Sequence, residues 1–132
     1  MHISNAEWQV MKIVWMKENI TSNEVYQLIS EKFDWTLSTV KTLLNRLVTK
    51  KCLMTQKEGR RFYYSSLLTE EESIHQITRE VNEKTCAMNI KNVVSELIVG
   101  NDFTEQDLEM LEQIIKEKRT MTVEAVRCNC VS

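Results

Sequence analysis

Between Trp35 and Lys50, six polar side chains are spaced so that they could meet one ligand together. Wound at helical period, Ser38, Thr39, Lys41, Thr42, Asn45 and Arg46 lie opposite a stripe of Leu37, Val40, Leu43, Leu44, Leu47 and Val48. The polar set holds hydroxyls, an amide and two cations, and no carboxylate. An ordinary solvated face mixes acids with its Lys, because opposite charges a turn apart support one another. Hydroxyls, an amide and cations match phosphates and base edges instead.

A second constellation closes the chain, Arg127-Cys128-Asn129-Cys130-Val131-Ser132. In an extended segment, alternate residues point the same way, so Cys128 and Cys130 can bite one metal together. The other two cysteines carry a blander expectation. Cys52, at the start of a strand, and Cys86, late in a fourth helix, read as small half-buried residues rather than ligands. His2 and His75 stand apart from any Ser or Cys in a nucleophile motif, so no catalytic residue is assigned and an enzyme is not expected.

The totals set the frame for both groups. At 132 residues, the chain can hold one ordinary domain, or a small domain with an appendage. With no Pro and only two Gly, it reads as mostly helical. It has no apolar run near the roughly 20 residues of a membrane span and no leader-like start. A cytoplasmic setting without membrane attachment is the expectation, and there cysteines are thiols or metal ligands rather than disulfides. The net charge of -2 conceals a split. Through Leu68, ten cations face six acids, and the remainder is acidic by six. A basic front suits a polyanion, and an acidic back suits a different task.

The elements that must position these groups follow in order. Ser4-Asn5-Ala6-Glu7 and Thr21-Ser22-Asn23-Glu24 have capping-box spacing and open the first two helices. The Trp35–Lys50 stretch forms the third. Leu53 to Lys57 and Arg60 to Ser65, around Glu58-Gly59, read as a hairpin with Lys57, Arg60 and Arg61 at its tip, placed to clamp phosphates. Phe62 and Tyr64 share one face of it, Arg61 and Tyr63 the other. Trp8, Trp15 and Trp35 read as packing residues. Three helices and a hairpin predict a winged helix-turn-helix over residues 1–68.

Residues 69–119 predict a helical region. Thr69 caps a helix lined by Ile74, Ile77, Val81 and Met88, and apolar spacing runs on through Val93, Val94, Leu97 and Ile98 to Gly100. Thr104 caps a last helix with Leu108, Leu111, Ile114 and Ile115. Three amphipathic helices in about fifty residues make a poor core alone, so a second copy of the chain is expected to complete it. Residues 120–132 form a tail. The fold class is mainly α: a winged helix-turn-helix DNA-binding domain, a C-terminal helical dimerisation region and a Cys-x-Cys tail.

Asp34-Trp35-Thr36, Thr39-Val40-Lys41-Thr42-Leu43-Leu44, Arg46-Leu47 and Glu58-Gly59-Arg60-Arg61-Phe62-Tyr63-Tyr64 resemble the BlaI/MecI family of winged-helix repressors. So does the opening Ile3-Ser4-Asn5-Ala6-Glu7-Trp8-Gln9-Val10-Met11. With the terminal Cys-x-Cys, the chain looks closer to the copper-responsive CopY-type branch. The resemblance implies a homodimer on a palindromic double-stranded operator, repressing copper-export genes, with a copper chaperone as a further partner. It implies Ser38, Thr39, Lys41, Thr42 and Arg46 in the groove, Zn(II) in the DNA-bound form and Cu(I) as the inducer that displaces it.

Two departures stand out. The branch usually carries a second Cys-x-Cys four residues on, and this chain has only the first. Two thiolates per chain then give the four that tetrahedral zinc takes only if two chains share one site. Cu(I), being softer, accepts the same sulfurs at lower coordination number. The family also often has Gly after the third helix, where Lys51 precedes Cys52, so a different exit turn is expected. Three other readings compete, among them a pure dimerisation or scaffold module, which predicts no salt-dependent binding to DNA. In the β-lactam branch, a protease cuts the repressor at an Asn-Phe pair, but here Asn101 precedes Asp102. A copper-binding thiol protein leaves the third helix and hairpin unexplained and lacks Cys-x-x-Cys.

Overall fold

A hydroxyl side chain opens each of the first three helices by taking up a free backbone amide. In α1 (Asn5–Met16), Ser4 Oγ accepts from the Glu7 N–H at 3.2 Å, and the Glu7 carboxylate accepts from the Ser4 N–H at 3.1 Å. Thr21 and Glu24 repeat that exchange at α2 (Ser22–Ile29). Thr36 caps α3 (Leu37–Thr49), its Oγ1 accepting from the Thr39 N–H at 3.1 Å. Such caps satisfy donors the first turn leaves free, each contributing about 1 kcal/mol. The computed structural model describes residues 2–131. The chain divides into two compact units, Met1–His75 and Gln76–Ser132.

In the first unit, the helices and a small sheet enclose one core. Val10, Met11 and Val14 of α1, Val25 and Ile29 of α2, and Val40, Leu43, Leu44 and Leu47 of α3 are buried together. Each such burial stabilises by roughly 1.5–3 kcal/mol. The hairpin pairs β2 (Leu53–Glu58) with β3 (Arg61–Ser66), in register from Leu53 opposite Ser66 to Glu58 opposite Arg61. The two-residue turn is therefore Gly59-Arg60, one residue later than the sequence reading. Gly59, at φ +63, supplies the left-handed backbone such a turn needs at its first central position. A third strand, β1 (Ile20–Thr21), pairs antiparallel with β3 on its other edge. Tyr64 is buried, and the Trp15 indole N–H donates to the Leu68 carbonyl at 2.8 Å, holding the chain's exit from the sheet against α1. Trp8, Trp15 and Trp35 all pack against the core. This is a winged helix-turn-helix.

The exit from α3 is the turn that glycine favours, with lysine in the glycine position. The Cys52 N–H donates to the Leu47 carbonyl at 2.9 Å and the Lys51 N–H to Val48 at 3.0 Å. That pair of bonds, with Leu47 and Cys52 both buried beneath it, is a Schellman motif. It places Lys51 at φ 62, where a Cβ is crowded. Lysine thus stands where this motif favours glycine, and strain at Lys51 is the consequence. Lys51→Gly is expected to raise unfolding free energy by about 1 kcal/mol, less the extra chain entropy glycine brings to the unfolded state. A lower urea midpoint for the variant would contradict this.

The more buried of the first unit's two recorded ion pairs joins Lys50 to Glu7. Lys50 Nζ donates to Glu7 Oε1 and to the His2 carbonyl, each at 2.7 Å. Burial pushes the Glu7 carboxyl up, but bonds from Lys50 and Ser4 outweigh it and hold the group below its usual value. Lys50 is thus occupied by its own fold.

The second unit contrasts with the first. α4 (Glu70–Lys84) begins at the end of the first unit, where Thr69 Oγ1 accepts from the Glu72 N–H. It stops at Lys84, followed by a short 3-10 turn over Ala87–Asn89, then α5 (Ile90–Val99) and α6 (Glu105–Lys118). Thr104 and Asp107 form the capping box of α6. Cys86 is therefore not in the fourth helix: its φ of -57 and ψ of 135 belong to the break after it. Among the described residues of this unit, no apolar side chain is buried. Val94, Leu97, Met110, Ile114 and Ile115 are about half exposed. Among the described residues, no helix is long and apolar enough to cross a membrane.

Candidate nucleic-acid face and thiolate cluster

The helical repeat of α3 delivers its two faces as its spacing requires. Ser38, Thr39, Lys41, Thr42, Asn45 and Arg46 are all exposed, while Val40, Leu43, Leu44 and Leu47 are buried. The polar residues divide between two hollows. Lys41 and Asn45 line a cleft whose other walls are Arg60 and Arg61 of the hairpin and the N-terminus of α2. Ser38, Thr39, Thr42 and Arg46 line a shallower one. Four of the nine proposed contact residues thus come together across one cleft, and four more lie along the same helix. Lys57 is in neither hollow. Its ammonium lies 5.7 Å from the centroid of the Phe62 ring, its cross-strand partner.

Sequence reasoning missed Ser22 and Asn23, which line the cleft at the start of α2. The capping box at Thr21 was the available signal, because a helix start presents free N–H groups and a partial positive charge. Glu24 adds one acid to this wall. A hydrogen bond from Lys17, then one from the Thr21 backbone, holds its carboxyl below its usual value, and Lys17 offsets its charge.

Thr42 Oγ1 donates to the Ser38 carbonyl at 3.0 Å. Its proton is committed inside the helix, leaving lone-pair density and a methyl group for an outside partner.

The cysteines separate into one and three. Cys52 is buried, and that burial pushes its thiol up, away from the reactive form. The sulfurs of Cys86, Cys128 and Cys130 all lie within 4.8 Å of one another, with Cys86 Sγ 3.6 Å from Cys128 Sγ. Cys86, set aside by the sequence reading, joins the pair at the tail. Asn129 makes the junction: its Oδ1 accepts from the Ala87 N–H at 2.8 Å. The Met88 backbone N–H, then the Cys130 and Cys128 thiols, hold Cys86 below its ordinary value. Cys130 is pushed up to about 12 by Cys128 and Cys86. Three soft donors at this spacing suit a thiophilic cation.

The penicillinase repressor family matches residues 3–117. The chain belongs to that family. An uncharacterised 16.5 kDa protein of Latilactobacillus sakei is 36% identical over 129 residues, covering 98% of this chain and 88% of its own. The methicillin resistance regulatory protein MecI of Staphylococcus aureus is 29% identical, covering 88% and 94%. The solved DNA-binding domain of the repressor BlaI aligns at 39% identity and a TM-score of 0.50, covering 54% of this chain and 87% of that one. In this penicillinase repressor relative, Cys86 lies within the family match, and Cys128 and Cys130 lie beyond it.

Proposed function

We propose that the chain is a copper-responsive transcriptional repressor that binds a palindromic operator as a homodimer. The observation that carries the reading is an acid-free α3 face beside a cationic wing, in a chain that also gathers three thiols. α3 enters the major groove with Ser38, Thr39, Lys41, Thr42, Asn45 and Arg46 toward the bases and nearby backbone. Lys57, Arg60 and Arg61 meet flanking phosphates. The exposed apolar side chains of α5 and α6 support pairing of two chains, which sets two reading helices about 34–36 Å apart, one turn of DNA.

The tail thiols carry the response. Zn(II) is the metal of the DNA-bound form in this reading and Cu(I) the inducer, delivered in the cell by a copper chaperone. A metal shifts operator affinity only through its differential affinity for the bound and released conformations, and metals preferring different geometries supply that difference. The test is a gel shift on the operator with Zn(II), then with added Cu(I). Retention with zinc and release with Cu(I) are expected for wild type. Cys128→Ser with Cys130→Ser is expected to keep binding and lose the release. A wild-type complex indifferent to Cu(I) overturns the copper reading. No retardation of any operator fragment overturns the repressor reading.

A further inference from the structure

We infer that Cys86 completes, with Cys128 and Cys130, a three-thiolate Cu(I) site inside a single chain, so that each protomer holds its own metal. This rests on the reading above that the tail thiols take copper, and it changes which residues do so and how many chains are needed. A Cys-x-Cys pair alone offers two sulfurs and leaves a metal to find its remaining ligands in a second chain. Here the third sulfur is already in place, with all three within 4.8 Å of one another.

The surrounding backbone fixes that arrangement. Cys86 sits in the break between α4 and α5, in an extended rather than helical conformation. The residue after it, Ala87, donates its N–H to the side chain of Asn129, the residue between the two tail cysteines. That hydrogen bond holds the tail beside the break, and the Cys130 N–H lies 3.4 Å from Cys128 Sγ. Among the described residues, no His, Asp or Glu joins the group. Three soft sulfurs without a fourth ligand suit Cu(I), which accepts low coordination numbers. Tetrahedral Zn(II) has to find its fourth ligand in water or elsewhere. On binding, three metal–sulfur bonds form, the remaining thiol protons pass to solvent, and no electron is transferred.

The experiment titrates full-length protein with Cu(I) against a Cu(I)-selective chromogenic chelator, without oxygen and with a non-thiol reductant. X-ray absorption then counts the sulfurs around copper. One Cu(I) per chain bound by three sulfurs is expected for wild type. Cys86→Ser is expected to lose affinity by about tenfold or more and to show two sulfurs, since losing even a supporting outer contact costs that much. Cys52→Ser is expected to match wild type in both measurements. One copper per two chains, or wild-type affinity in Cys86→Ser, overturns the single-chain site. The stoichiometry of wild type decides the matter even if the variant folds poorly. The site and the regulatory reading also fail separately. Three-sulfur copper at one per chain without operator release removes the regulation and keeps the site. Normal copper release by Cys86→Ser removes the site and keeps the regulation.

Discussion

Thr42→Ala is expected to lower affinity for the operator about tenfold while leaving affinity for unrelated DNA nearly unchanged. The side chain is exposed on the acid-free face of α3, and its hydroxyl proton is held by the Ser38 carbonyl at 3.0 Å. What it can offer a base pair is an acceptor lone pair and a methyl group, which distinguish partners in the major groove. Loss of one such contact costs roughly 1–3 kcal/mol on the right sequence and little elsewhere. Arg60→Ala supplies the contrast. Its side chain walls the cleft from the hairpin turn, away from the base-reading helix. Its loss is expected to weaken binding on all sequences alike and reduce the salt slope by about one. Fluorescence anisotropy on operator and scrambled duplexes at several salt concentrations separates the two. Equal losses on both duplexes for Thr42→Ala would remove that residue from base recognition.

Leu44→Ala carries the largest expected effect on stability. Leu44 is fully buried on the face of α3 opposite the polar set, within the core shared by α1, α2 and the sheet. Truncation removes its transfer free energy and leaves a cavity, together about 3 kcal/mol within a usual range of 2–5. A small domain holds only about 5–15 kcal/mol in all, so a sizeable share of its stability is lost. Urea unfolding is expected to show a lower midpoint at unchanged slope, because the surface exposed on unfolding is nearly the same. A change below 1 kcal/mol would mean that α3 is held by other contacts than its apolar stripe. DNA binding is expected to fall only to the extent that the folded fraction falls, unlike the Thr42 effect.

The two faces of α3 were legible because thirteen residues sample the helical repeat several times over. The hairpin was legible from Gly59, though its turn was misplaced by one residue. Composition marks a turn, but its register depends on which residues pair, and Glu58 pairs with Arg61. β1 could not be read, since two residues show no period, and its pairing with β3 is set by a partner more than forty positions away. Cys86 was misread for a related reason. Apolar spacing runs on across Ile77, Val81 and Met88, and no Gly or Pro marks the break. The hydrogen bond from Ala87 to Asn129 comes from the far end of the chain, beyond the reach of local pattern. That bond accompanies the grouping of the three thiols, so the cluster was invisible for as long as the break was. Lys51 shows the opposite case. Its place after the third helix was plain in the sequence, but only the backbone angle shows the left-handed turn that it makes.

Cys86 and Cys128 are 42 positions apart, and all of α5 and α6 lies between them. A metal held at the proposed site would close that interval into a ring. Closing a loop of this length removes unfolded-chain freedom on the order of 4 kcal/mol, by analogy with a disulfide of the same span. The second unit buries no apolar side chain of its own among the described residues, so such a ring is a large addition to what holds it. Loss of that metal would open the ring and free α5 and α6 to fray, while the first unit would keep its separate core. A protease would then meet a closed substrate in one state and an open one in the other, and the lifetime of the polypeptide would become a second reading of the same ion.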